Sequence, residues 1–118
     1  MRLARFAAIL IAVLLSGCAV QRYEWNQYDQ RLYDYYKNPA SGEAFVEAMT
    51  AHVNALEANG KKPAPGLYAE LGTFALTRGD SKQAVGYYSK EMQAWPESKG
   101  LMSALIASIE KRNAGAAK

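Results

Sequence analysis

Few side chains in this 118-residue chain are equipped for chemistry: one cysteine, Cys18, one histidine, His52, and a scatter of carboxylates. Cys18 comes first, because a thiolate is both a nucleophile and a metal ligand. With no second cysteine in the chain, an internal disulfide is excluded. Zinc needs several ligands at close spacing. His52 has neither a second His nor a nearby Cys to share an ion with, so it reads as a surface or boundary residue. No metal site and no dissociable cofactor is expected. Glu43, Glu47, Glu57, Glu70 and Glu91 invite comparison with the paired carboxylates of glycosidases, which stand about 5–9 Å apart across a groove. Five helical glutamates reach such separations by chance, and a solvated helix face is their expected role. The chain has no nucleophile elbow, phosphate-binding loop or metalloprotease motif. It is not expected to be an enzyme.

The setting of Cys18 says more. Arg2 and Arg5 precede an unbroken apolar run from Phe6 to Leu15, followed by Ser16, Gly17 and Cys18. This is the three-part layout of a secretory signal peptide. The run is short of the roughly 20 residues that cross about 30 Å of hydrocarbon. Leu15-Ser16-Gly17-Cys18 resembles the lipobox of bacterial lipoproteins. That resemblance implies cleavage before Cys18, a diacylglycerol on its sulfur and an acyl chain on the new amine. Each buried CH₂ contributes about 0.8 kcal/mol, so several chains moor a protein almost permanently. An Asp after the Cys would resemble an inner-membrane retention signal. Ala19 stands there instead, which points to the outer membrane of a Gram-negative cell, facing the periplasm.

The expected organisation is a signal peptide at 1–17, a lipidated Cys and tether at 18–22, a helical domain at 23–112 and a disordered tail at 113–118. Cleavage also rewrites the charge. Of the 14 Lys plus Arg, Arg2 and Arg5 leave with the leader, and the remaining 12 face 11 Asp plus Glu, a net +1. Nucleic-acid binding has no support from charge.

Asn38-Pro39, Asn59-Gly60, Pro63-Ala64-Pro65-Gly66, Gly79-Asp80 and Trp95-Pro96 divide the rest. Pro63-Ala64-Pro65 reads as a stiff loop rather than a polyproline ligand. Between the breaks the apolar spacing is helical throughout. It predicts helices over about 22–37 (Trp25, Tyr28, Leu32, Tyr35, Tyr36), 42–58 (Phe45, Val46, Met49, Val53, Leu56) and from near Pro65 to Gly79. Two more are predicted from Asp80 (Ala84, Val85, Tyr88, Met92) and over about 98–112 (Leu101, Met102, Leu105, Ile106, Ile109). Asn59-Gly60 reads as a C-cap, Asp80-Ser81-Lys82-Gln83 as a reciprocal capping box. Lys111 and Arg112 are expected at the negative end of the last helix. The fold class is all-α, about five helices in antiparallel hairpins.

Residues 67–96, LYAELGTFALTRGDSKQAVGYYSKEMQAWP, resemble a tetratricopeptide repeat. Tyr68 takes the Trp place, Leu71-Gly72 match, Gly79-Asp80 fill the turn, and Ala84, Tyr88 and Pro96 fall at the small, aromatic and terminating positions. Gly72 and Ala84 allow close helix approach, with Tyr68 and Tyr88 expected to fill the space beside it. Ala75 and Glu91 depart from the pattern, and Glu91 is expected to weaken packing against the next helix or to leave a carboxylate at its edge. YEWNQYDQRLYDYYKNP, PAPGLYAELG and QAWPES together resemble a family of small bacterial lipoproteins with a tetratricopeptide-like fold and no assigned function. Members of that family are often encoded beside other lipoproteins, one of them similar to the curli-export pore. The resemblance therefore implies an accessory role in an envelope assembly, and carries no catalytic residue with it.

Six aromatics lie between Tyr23 and Tyr36. Tyr33, Tyr35 and Tyr36 span most of a helical turn and cannot all face one core. Tyr and Trp suit sites with one dry and one wet end, so Trp25, Tyr28, Tyr33 and Tyr36 are candidate contacts for lipid headgroups or a partner; core packing with scattered exposed Tyr is the alternative. The expected function is that of an outer-membrane-anchored periplasmic adaptor or accessory subunit that docks a protein partner, among which other envelope lipoproteins are candidates. Its groove is expected on the concave side of the Tyr68–Tyr88 hairpin. Two alternatives stay open: an activator of, or enzyme acting on, peptidoglycan, and a structural lipoprotein subunit.

Overall fold

The computed structural model describes residues 22–118. The leader, Leu15, Ser16, Gly17, Cys18 and the tether up to residue 21 lie outside the described residues. Five helices follow in order: α1 (Tyr28–Lys37), α2 (Gly42–Ala58), α3 (Leu67–Thr77), α4 (Ser81–Ala94) and α5 (Lys99–Ala116). Short 3₁₀ turns at Pro39–Ser41 and Pro96–Ser98 lead into α2 and α5. There is no strand among the described residues, and none of their helices is long and apolar enough to cross a membrane.

The breaks act through defined backbone geometry. Gly60 (φ 65°) ends α2 in a Schellman motif, with Gly60 N–H donating to Glu57 and Lys61 N–H to the Leu56 carbonyl. Gly79 (φ 82°) ends α3 in the same way, its N–H on Leu76 and that of Asp80 on Ala75. The Asp80 carboxylate then caps α4 by accepting from Gln83 N–H at 2.9 Å. The capping box is thus half used. The Asp80 amide is already spent on Ala75, so the expected return bond from the Gln83 side chain has no donor.

Three boundaries differ from the sequence reading. α1 starts at Tyr28, not near residue 22, because Asn26 (φ 48°) and Gln27 (φ 56°) take left-handed conformations that turn the chain. α3 starts at Leu67, two residues after Pro65. Gly66 (φ 92°) and the Leu67 N–H bond to Ala64 O make a type II turn with Pro65 and Gly66 at its centre. α5 runs to Ala116, through most of the stretch expected to be a disordered tail, so Lys111 and Arg112 lie inside the helix and its last turn holds no cation. Ala114 and Ala116 are strong helix formers, and the helix runs through Asn113 and Gly115, which could have capped it earlier.

α3 stands between two cores. On one side Leu67, Tyr68 and Leu71 join Phe45, Met49 and Val53 of α2 and Ala64 of the loop. On the other, Ala75 joins Ala84 and Tyr88 of α4 and Met102 and Ile109 of α5. Each fully buried large apolar side chain contributes about 1.5–3 kcal/mol. The α3–α4 hairpin closes on Gly72: a Cβ there would lie 2.7 Å from Tyr88 Cε1 and 3.3 Å from Ala84 O. Tyr68 does not share that contact. It packs toward α2 in the other core, and its hydroxyl donates to Glu57 Oε1 at 2.6 Å.

Candidate functional site

A groove with a cavity volume of ≈ 420 Å³ runs along the outer face of α3. Ala69, Glu70 and Thr73 form its floor, Trp25 and Tyr28 one wall, and Leu101, Met102 and Leu105 of α5 the other; Pro65, Gly66 and Leu67 close one end. Helical spacing explains the floor, because positions 66, 69, 70 and 73 fall on one face, away from the buried Tyr68, Leu71, Gly72 and Ala75. The Tyr68 and Tyr88 rings themselves are packed in the two cores and do not line this groove, although the Tyr88 hydroxyl reaches Thr73 of its floor at 3.1 Å.

The Trp25–Tyr28 wall is held from behind. The His52 ring nitrogen Nε2 donates to Glu24 O at 2.7 Å, and Lys61 Nζ meets the Glu24 carboxylate at 2.6 Å, which holds that carboxyl below its ordinary range. Tyr23 stands edge-on to Trp95 with ring centres 5.5 Å apart. Trp25 and Tyr28 are 5.9 Å apart, and Tyr28 continues to Phe45 in the core at 6.0 Å. Arg31 Nε donates to Asn26 O at 3.0 Å across the left-handed turn. His52 thus works as a fastener at the domain boundary.

The Pro65–Gly66 end is held by Glu91, one of the positions where the sequence departs from the repeat. Glu91 is 1% exposed. Its Oε1 accepts from Gly66 N–H at 2.8 Å and from Ser98 Oγ at 3.3 Å, and its Oε2 has no partner among the described residues. Rather than weakening the packing or lying at an edge, Glu91 ties the turn before α3 to the turn before α5. Trp95 joins the tie: its Nε1–H donates to Pro63 O at 3.2 Å, with Lys62 Nζ 3.8 Å from its ring centre.

Glu70 is the one carboxylate lining this groove. Burial raises its pKa above the ordinary carboxylate value, and Tyr28 across the groove is raised too, by burial first and then by the Glu70 charge. The other glutamates are placed differently. Glu57 pairs with Lys90 at 2.7 Å and receives the Tyr68 hydroxyl, so its pKa is lowered while that of Tyr68 rises, chiefly through burial. Glu43 and Glu47 lie with Val46, Thr50, Ala51, Asn54 and Arg78 along a second hollow of ≈ 460 Å³ on α2, where Arg78 approaches Glu43 to 3.9 Å. No group of three or more His, Cys, Asp or Glu able to hold a metal occurs among the described residues.

The four aromatics singled out in the sequence divide. Trp25 and Tyr28 are half-buried and line the groove. Tyr33 (53% exposed) and Tyr36 (73%) point outward, away from its lining. Tyr35 turns inward onto Phe45 and Phe74. Of the repeat positions, Leu71, Gly72, Ala84 and Tyr88 build the scaffold, Gly79 and Asp80 turn it, and Pro96 opens the 3₁₀ turn before α5. Sequence reasoning missed Glu70, Thr73, Leu101 and Leu105 as neighbours. Leu101, counted with the apolar stripe of α5, is 63% exposed at the groove's lip. The available signal was the offset of Leu101 from the Met102–Leu105–Ile109 line that faces the core.

Searches among curated proteins and solved structures return no match. Residues 22–105, well over half of the chain and nearly all of the helical domain, match the family described as a domain of unknown function, DUF4810. The aromatic N-terminal segment, the α3–α4 hairpin and both groove walls lie inside that match, and the chain belongs to the DUF4810 family.

Proposed function

We propose that this chain is an outer-membrane lipoprotein of a Gram-negative cell, periplasm-facing, that works as a protein-binding adaptor or accessory subunit of an envelope assembly. The observation that carries the docking role is the groove over α3, walled by Trp25, Tyr28, Leu101 and Leu105, with hydrogen bonds bracing one wall from behind and the Pro65–Gly66 end. Aromatic and aliphatic side chains around a preformed hollow are the usual composition of a recognition site. The anchoring role is supported by Leu15-Ser16-Gly17-Cys18. The clamp on Tyr23 and Glu24 adds to it, since a tether from Cys18 to Tyr23 reaches at most about 18 Å at ~3.5 Å per residue. A domain on so short a leash works beside the bilayer.

Two measurements test the reading. Labelled palmitate should enter the wild-type protein and not Cys18→Ser, which should leave the membrane fraction; an unlabelled wild type, or an unmoved variant, sinks the anchor. A photo-crosslinking residue at Leu101 should capture a defined envelope protein in intact cells, while one at Glu110, on the exposed far part of α5, should not. Equal or absent capture at both positions sinks the adaptor.

A further inference from the structure

Resting on that reading of the groove as a docking site, we infer that its occupant is a protein segment presenting one Lys or Arg side chain to Glu70, with apolar residues on either side of it. The argument is charge complementarity in an apolar setting. Glu24, Glu57 and Glu43 each have a cation within 4.0 Å. Glu70 has no ion pair and no side-chain hydrogen bond among the described residues, although it is the half-buried carboxylate of the groove. None of the residues lining the groove is a cation. A desolvated carboxylate without a partner costs free energy in the empty domain, and an incoming cation removes that cost.

The walls fit the same occupant. Trp25 and Tyr28 offer aromatic faces, on which a guanidinium or ammonium gains further attraction. Leu101, Met102 and Leu105 face them across the floor and suit the apolar neighbours of the basic residue. An acidic segment would meet Glu70 as a like charge in a poorly solvated place, and a wholly apolar one would leave the carboxylate buried and unpaired.

The test is to pan the full-length protein, purified in detergent, against a random peptide display library, with wild type, Glu70→Gln and Glu110→Gln in parallel. The expected result is that wild type and Glu110→Gln select peptides with Lys or Arg between apolar residues, and that Glu70→Gln loses the basic preference. In direct titration, Glu70→Gln should weaken the best selected peptide about tenfold, the scale of a hydrogen bond to a charged group. Selected peptides without a basic residue, affinity indifferent to Glu70→Gln, or no selection at all would overturn the inference. The two readings fail separately. Leu101 crosslinks to a partner in cells, together with peptides that ignore Glu70, would leave the adaptor standing and remove its basic occupant. No crosslink would remove the adaptor whatever the peptides select.

Discussion

Gly72 and Gly86 sit on facing helices of one hairpin and make a controlled pair. Both are in helix interiors, where Gly costs about 0.5–1 kcal/mol relative to Ala. Gly86→Ala meets nothing within 4 Å and should recover that amount. Gly72→Ala gains the same propensity but places its methyl 2.7 and 2.8 Å from Tyr88 Cε1 and Cδ1. Tyr88 is 1% exposed, and its hydroxyl is 3.1 Å from Thr73 Oγ1, so the ring has nowhere to swing. Overpacking of this kind costs about 1–3 kcal/mol, which leaves Gly72→Ala destabilised by roughly 1–2 kcal/mol after the propensity gain. At about 4–8 °C per kcal/mol for a domain of this size, thermal unfolding followed at 222 nm should show Tm falling by about 5–10 °C for Gly72→Ala and rising for Gly86→Ala. Tyr88→Leu should make the Gly72→Ala penalty smaller in the double variant than in the single one, since the two side chains touch. A Gly72→Ala protein that melts at or above wild type while Gly86→Ala behaves as expected would refute the close-approach account of the hairpin.

The polar contacts give three further expectations. Burial raises the Glu70 carboxyl above the ordinary value of about 4.3, so the folded state holds that proton more tightly than the unfolded chain. Its penalty is absent below the ordinary pKa and complete above the raised one, so wild type should lose stability relative to Glu70→Gln as pH climbs through that window; urea midpoints at pH 4 and 7 should show the variant gaining on wild type toward pH 7, and a gap that does not change with pH would refute the burial of that carboxyl. Tyr68→Phe removes the hydroxyl bond to Glu57 but leaves Lys90 on that carboxylate, and should cost about 1 kcal/mol in urea unfolding. Glu91→Ala removes the carboxylate that accepts from Gly66 N–H, a charge-assisted bond worth about 1.5–3 kcal/mol, and amide exchange at Gly66 and Leu67 should accelerate well before exchange in α4; unchanged exchange at Gly66 would remove Glu91 from its bracing role.

What could be read from residues alone followed the range of the interaction concerned. The Schellman ends at Gly60 and Gly79 and the Asp80 cap are settled within six residues of chain, and Asn59-Gly60 and Gly79-Asp80 announce them. The Gly72–Tyr88 contact was legible because the repeat pattern encodes which residues meet across a hairpin. The start of α1 was not, since two non-glycine residues hold left-handed conformations there. That choice is made by remote partners: His52, 28 residues from Glu24, and Trp95, farther still. Glu91 was misread for a related reason. In a single helix it is a carboxylate at a small-residue position, and its role needs Gly66 and Ser98 to be brought to it.

The groove lay beyond the same horizon, and the reason bears on function. Its wall, floor and lip come from the N-terminal segment, α3 and α5, which no local pattern connects. Two pieces had a harmless local reading, Glu70 as a solvated helix face and Leu101 as part of a core stripe, while Trp25 and Tyr28 stood out as candidate contacts with nothing to say what lay opposite them. Together they leave exposed what an isolated domain would bury or pair, a half-buried carboxylate without a cation and a leucine at 63% exposure beside it. Local rules broken at several points around one hollow are expected where a surface is shaped for something other than stability. The braces argue the same way. His52 and Lys61 fix one wall, and Glu91 one end, of a groove whose interior they do not fill, so the hollow is held in place rather than left over from packing. A surface so prepared binds with less ordering cost.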